Sequence, residues 1–253
     1  MKKKFLSVII LLIFAFLFVV KVKLREDNSA KYTTTPEIKG VILPHHELAK
    51  ELLNLSFEKI KENLTPDIIV IYGTNHYFPV SETYTTTKEV KDKFNINGVL
   101  VNNDRVGKDH SIQTILPYVK QYFPDSIVVP ILVSTRYESL SDINRQAENF
   151  IKSFKSDKTL YIASVDFAHN VSLIEGLKKN DESIKSISNF DFQETIKYND
   201  DHMDSATAMA TFLSTMKNLN AMNWQIWFSS HGALLTGVKD LNGTSYVVGS
   251  FSR

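Results

Sequence analysis

The chain has 253 residues, of which 43% are apolar, with a formal net charge of +1 and no cysteine. That length and apolar share suffice for one domain with a sizeable core. The balanced charge, with no basic block beyond Lys2 to Lys4, argues against a nucleic-acid partner. The lack of thiols excludes disulfides, thiolate zinc sites, iron–sulfur clusters and cysteine nucleophiles, so any metal must rest on His, Asp or Glu.

The opening MKKKFLSVIILLIFAFLFVVKVK joins a basic start to an apolar run from Phe5 to Val20, followed by Lys21 and Lys23. This pattern marks a secretory or anchoring segment. Val22 and Leu24, with snorkelling lysines, extend it toward spanning length. No small-x-small cleavage site precedes a plausible cut, so the expectation is an uncleaved signal-anchor over residues 1–24, with a cleaved signal peptide as the alternative. The positive-inside rule then places the remainder outside the cytoplasm, membrane-anchored, or secreted if the segment is cleaved. Residues 25–39 read as a polar tether ending near Pro36, and residues 40–253 as one domain.

Within that domain Gly40 to Leu43 and Ile68 to Tyr72 read as strands. Between them, Glu47 to Leu64 carries Leu48, Leu52, Leu55 and Leu64 at helical spacing, completing a βαβ unit. Ser111 to Phe123 and Leu140 to Phe154 are helical candidates, with Pro117 expected to start or kink the first. Ser126 to Ser134 and Thr159 to Val165 read as strands, and Asp204 to Met216 as a helix with Met209, Phe212, Leu213 and Met216 on one face. Trp224 to Phe228 and Ser245 to Phe251 are late strands around a loop region from Gly232 to Gly243. The alternation predicts an α/β fold: a mostly parallel central sheet flanked by helices, antiparallel at one edge.

Five of the seven histidines follow apolar strands or open helices. His45 and His46 come after Val41 to Pro44, His76 after Ile68 to Tyr72, His169 after Tyr161 to Ala163, and His231 after Trp227 and Phe228. Loops at the carboxyl ends of strands in an open α/β sheet converge on the ligand crevice, so these imidazoles are expected to meet. A lone histidine after a strand is more often a hydrogen-bonded structural group, but repetition at one topological position favours a shared site. His46 reads as a supporting group or an exposed neighbour, and His231 as either. Asp109 and Ser111 are candidate N-caps, while Asp200 and Asp201 complement a helix start.

These stretches resemble the Memo-like family, also called AmmeMemoRadiSam system protein B, in order over nearly the whole chain from Gly40. VILPHHELA is similar to the family's Pro-His-Ala-Gly segment, IYGTNHYFP to Gly-Pro-Asn/Ser-His, DHSIQTILPYV to Glu-His-Ser-Ile-Glu, and IASVDFAHN to Ser-Ser-Asp-x-Ser-His. The resemblance implies the fold of class III extradiol ring-cleaving dioxygenases, with a pocket for a non-haem metal. It implies His45 and His76 as ligands and His110, Asp166 and His169 as pocket residues acting as acid/base or orienting groups. The family's Cys-Gly-x-x-Pro-Ile pattern corresponds to DSATAM here, which places Asp204 where the third, thiolate ligand stands. His202 is the alternative third ligand. Glu47 and Gln113 also depart from the family pattern.

Two imidazoles and one carboxylate are the donor set of many non-haem Fe(II) sites, which moves the expected metal from copper toward Fe(II), with copper or zinc as alternatives. The expected function is metal-dependent, dioxygenase-like oxidoreductase chemistry on a small, phenolic or peptidic substrate. The competing expectations are an extracytoplasmic peptide- or ligand-binding module of the same fold, and zinc-assisted hydrolysis. A Ser164–Asp166–His169 relay is disfavoured because the three lie too close in sequence.

Overall fold

The β-branched runs become strands because their side chains alternate into two apolar layers, one on each side of a single sheet. The computed structural model describes residues 37–77, 83–135, 139–238 and 241–253. The expected anchor and the tether up to residue 36 lie outside the described residues. Among the described residues, no helix is long and apolar enough to cross a membrane.

The chain runs through β1 (Ile38–Leu43), a 3-10 turn (Glu47–Ala49), α1 (Lys50–Asn63), β2 (Ile68–Thr74), β3 (Tyr84–Thr86), α2 (Lys88–Phe94), β4 (Leu100–Val101) and α3 (Asn103–Lys108). It continues through α4 (His110–Gln113), α5 (Leu116–Tyr122), β5 (Ile127–Val133), α6 (Leu140–Ser153), β6 (Thr159–Ser164) and α7 (Leu173–Ser188). It closes with α8 (Phe192–Thr195), α9 (Ala206–Asn218), β7 (Asn223–His231), α10 (Gly232–Thr236) and β8 (Ser245–Ser252). The described strands form one 8-stranded sheet in the order β4-β3-β5-β2-β6-β1-β8-β7.

Strands β5, β2, β6 and β1 are mutually parallel, as expected of the core. Antiparallel pairing occurs on both flanks, β8 against β1 and β3 against β5, where one edge was expected. The strands bearing His45 and His76 are not neighbours, because β6 lies between β1 and β2. Alternation along β2 sends Val70 and Tyr72 into a core with Phe150, Phe212 and Phe251, and Ile69 and Ile71 into one with Leu53, Phe57 and Val119. A strand buried on both faces reads as a continuous apolar run, which is how Ile68 to Tyr72 reads.

Several elements differ from expectation for local reasons. Strand β1 begins at Ile38 rather than Gly40. Helix α1 buries Leu52, Leu53, Phe57 and Ile60, with Phe57 stacked on Tyr118 and Tyr122 of α5 at 5.5 and 5.7 Å, and leaves Leu55 exposed; Leu48, also exposed, lies in the 3-10 turn before it. The helix expected from Ser111 to Phe123 splits into α4 and α5, with Pro117 in the first turn of α5. There its missing N–H costs nothing. The 16-residue α7 lacks apolar periodicity since its buried face is Gly176, Asn180, Ser183, Ser186 and Ile187. Asn180 holds it to the sheet, donating to the Ser230 and Tyr246 carbonyls and accepting from Ser245 Oγ. Helix α10 occupies what was expected to be loop.

Gly249 of β8 lets β7 approach: a Cβ there would lie 2.4 Å from the Gln225 carbonyl oxygen and 2.5 Å from the Trp224 ring. Gly249→Ala is expected to destabilise the protein by about 1–3 kcal/mol through overpacking, read as a lower urea midpoint in equilibrium unfolding.

Candidate metal centre

Two of the histidines leave the sheet at equivalent points. β1 ends at Leu43, and the chain passes through Pro44 to His45; β2 ends at Thr74, and the chain passes through Asn75 to His76. Their rings meet edge to face with centroids 5.2 Å apart. His110, the first residue of α4, joins them at 5.1 Å from the His45 ring and 3.8 Å from the His76 ring. One nitrogen from each of the three lies within 4.8 Å of the others, so His45, His76 and His110 could hold a divalent metal ion. His45 is buried and His110 is exposed, so the cluster has a closed side and an open one.

A carboxylate completes the closed side. Asp204 Oδ2 lies 2.9 Å from His45 Nε2 and 3.7 Å from His76 Nε2. The Asp204 N–H donates to the Asp166 carbonyl at 3.0 Å, next to a bridge between Phe167 and Met203 that pins the approach to α9 against the end of β6. Asp204 is buried, and Oδ2 has no hydrogen-bond partner. Oδ2 faces the two imidazoles, and a cation among these three donors would take the place of the imidazole protons as its counter-charge. Ligand bonds of about 2.0–2.2 Å set donor atoms roughly 3.0–3.4 Å apart, a range that the two measured separations bracket. The donor set fits a divalent metal.

Both imidazoles are oriented from behind. His76 Nδ1 lies 2.9 Å from Asp109 Oδ1, and the His76 main-chain N–H donates to Asp109 Oδ2 at 2.9 Å. A carboxylate can only accept, so Nδ1 carries the proton and Nε2 faces inward with its lone pair. Asp109, fully buried, also accepts from the Ser111 N–H and hydroxyl. On the other side, Ser164 Oγ donates to the Ser111 carbonyl at 2.6 Å and lies 3.3 Å from His45 Nδ1, which makes it the acceptor there and again leaves Nε2 facing inward. The His45 N–H donates to Asp166 Oδ1 at 2.9 Å. Gly73 allows this close packing, since a Cβ there would lie 2.5 Å from Ser111 Oγ.

Without a metal the charges settle differently. Burial works against imidazolium at His45, but the Asp166 and Asp204 carboxylates outweigh it and push the pKa up to about 9. At His76 burial is likewise overcome, by Asp109 and Asp204, and the pKa is again about 9. Burial alone would raise Asp204, yet the two imidazoles hold its carboxyl well below the usual range. His110 moves the other way, lowered by burial and then by the charges on His76 and His45.

A scan against sequence families matches residues 85–242 to the family described as Memo-like protein, more than half of the chain. The chain belongs to the Memo-like family. The Memo-like match includes Asp109, His110, Asp166, His169 and Asp204, while His45 and His76 precede it and join the cluster through the fold. The fold is similar to the crystal structure of an uncharacterized protein from Escherichia coli K12, with a TM-score of 0.55 over 84% of this chain and 99% of that one, at 9% identity. At that identity the likeness is one of fold. No curated protein sequence matches the chain.

The other expected residues separate. Asp166 borders the cluster, with Oδ2 3.8 Å from His45 Nε2. The His169 N–H donates to the Asp200 carbonyl, and among the described residues its ring makes no hydrogen bond or ring contact with the cluster. His202, the alternative third ligand, bonds Glu182 Oε2 at 2.9 Å and stacks on Tyr198 at 4.3 Å. His46 is an exposed cap whose Nδ1 accepts from the Leu48 N–H. His231 is buried structure: Nδ1 accepts from the Ala233 N–H, and Nε2 donates to the Val171 carbonyl. Of the strand-end histidines expected to converge, His45 and His76 do so, and their third companion is a helix-start histidine. Asp109 was expected only as a cap; it does cap α4 and also orients His76. Its position directly before His110 is the one local signal of that role. Ser111, Ser164 and Thr74 carry no such signal.

One outcome follows for the metal-free protein and one for metal binding. Folded-state pKa values raised to about 9 from 6.5 mean that His45 and His76 contribute stability fully below pH 6.5 and lose it as pH rises through 9. Thermal unfolding of chelator-treated protein should therefore show a falling midpoint over that window, flattened in Asp204→Asn. Removing the orienting carboxylate with Asp109→Ala should weaken metal affinity about 10–100-fold, measured by competition against a chromophoric chelator.

Proposed function

We propose that this Memo-like protein is a non-haem metal-dependent oxidoreductase, dioxygenase-like in its chemistry, acting on a small, phenolic or peptidic substrate. The observation that carries the reading is the convergence of His45 Nε2, His76 Nε2 and Asp204 Oδ2, with His45 and Asp204 buried and His76 and His110 on the exposed side. Two imidazoles and one carboxylate suit Fe(II), with copper and zinc as alternatives. Bound there, the metal would supply Lewis acidity and one-electron chemistry.

The chain's own residues supply the rest. Asp109 and Ser164 hold the imidazole planes, so that both present Nε2 without rotating. Asp166 anchors the loop carrying His45 and adds negative charge beside the ion. His110 stays neutral near physiological pH because its pKa is lowered, which leaves a lone pair to take a proton from a substrate hydroxyl. A groove of about 920 Å³ reaches His110 between α1 and α5. Leu48, Pro117 and Tyr118 give it apolar surface, and Glu47, Lys50 and Glu51 give it charged groups of both signs.

The N-terminal run from Phe5 to Val20, bounded by lysines, supports placing the domain outside the cytoplasm on a membrane anchor. The open groove also supports a second reading, a ligand-binding module without turnover.

The deciding experiment is metal analysis of the full-length chain purified anaerobically without chelators, beside a His45→Ala/His76→Ala/Asp204→Ala variant. Near-stoichiometric iron, lost in the variant, is expected, with oxygen uptake when phenolic compounds are added. Absence of metal from both proteins would overturn the reading. Stoichiometric metal without oxygen uptake across the substrate screen would favour the binding module.

A further inference from the structure

The two oxygens of Asp204 are treated differently by the fold. Oδ1 accepts a hydrogen bond from Thr74 Oγ1 at 3.0 Å, while Oδ2 faces His45 and His76 and has no hydrogen bond. Both side chains are buried, so water does not exchange freely with either contact.

Thr74 is well placed to enforce the difference. It is the last residue of β2, in register with Val133 of β5, and its carbonyl lies 2.8 Å from Ser111 Oγ, whose single proton it shares with Asp109 Oδ1. The backbone is thus held from the sheet and from α4 together. Asp204 is fixed by its own N–H on the Asp166 carbonyl. A threonine hydroxyl has one proton to give, and here it goes to Oδ1. A hydrogen bond to a buried carboxylate is charge-assisted and stronger than a neutral one, so it fixes the carboxylate plane with Oδ2 toward the imidazoles and draws electron density from Oδ1, which makes Oδ1 the poorer donor to a cation.

A carboxylate can bind a cation through one oxygen or both, and the choice decides how many coordination positions remain for other ligands. The thiolate of the resembling family pattern offers a single donor atom. An aspartate in that place offers two. Resting on the two-histidine, one-carboxylate reading above, we propose that Thr74 is a positioning residue that makes Asp204 a one-oxygen ligand through Oδ2, keeping a coordination position available to exogenous small ligands. The pairing of Thr74 with Asp204 compensates for a two-oxygen group where one donor atom is required.

The test is cobalt substitution of the full-length chain, because the visible absorbance of Co(II) weakens as its coordination number rises. Wild type is expected to bind one Co(II) with a strong visible band that shifts on adding azide. Thr74→Val, similar in shape but without the hydroxyl, should still bind one Co(II) but lose most of the visible absorbance and the azide response. Thr74→Ser should recover both. If Thr74→Val does not fold, Thr74→Ala is read by the same criteria. A wild-type spectrum and azide shift in the variant lacking the hydroxyl would overturn the role of Thr74 alone. A wild-type spectrum in Asp204→Asn would instead show that Asp204 is no ligand and would overturn the donor set together with this inference.

Discussion

Asp204 is a negative charge taken out of water, and the architecture of this end of the molecule is the response to it. An unpaired buried carboxylate costs several kcal/mol at least. Here the compensation comes from an imidazole at 2.9 Å after the end of β1, and from an imidazole at 3.7 Å and a hydroxyl at 3.0 Å at the end of β2. In the metal-free state the imidazoles take protons and become the counter-ions. With a cation present they return to neutral ligands, so metal affinity and protonation compete for the same nitrogens. His110 stands beside them on the exposed side of the cluster.

That geometry depends on strand order. Because β6 separates β1 from β2, the loop after β6 emerges between the two histidine-bearing loops. Asp166 then reaches the main chain of His45, and Ser164 reaches its ring. Asp166 also receives the main chain of Asp204 on its carbonyl, so one short segment after β6 ties together elements far apart in sequence. Parallel strands ending on the same side make this possible, since all their carboxyl-end loops project to one crevice. The Gly73 position, where α4 packs directly on β2, brings Asp109 close enough to hold His76 from behind.

The seven histidines show how little a residue's type decides. His45, His76 and His110 gather at one centre. His231, also following a strand, is consumed by a cap and a carbonyl in the interior, and His202 pairs with a surface glutamate. The same imidazole serves as candidate ligand, cap or ion-pair partner according to which groups surround it. The comparison extends to acids: Asp109 caps a helix and orients a histidine with the same oxygen, so a bland local reading and a functional one are both true.

The sequence by itself determined the α/β alternation, the long central strands, the break at Pro117, and the candidacy of His45 and His76, because these depend on periodicity, backbone chemistry and position at strand ends; His110 and Asp204 became candidates through the family resemblance. It was silent on α7, whose buried face is polar and small, and on the short strands β3 and β4, which are too brief to show a period. Only the tertiary structure decided that β6 stands between β1 and β2, that His231 and His202 turn away, and that Thr74, Ser111 and Ser164 serve the centre. Those outcomes rest on contacts between residues separated by tens to more than a hundred positions, such as Thr74 with Asp204 at a separation of 130 and His45 with Ser164 at 119. A hydrogen bond across that separation leaves no periodic trace in the chain, since it is created by the packing of the sheet and exists only once the strands are in register.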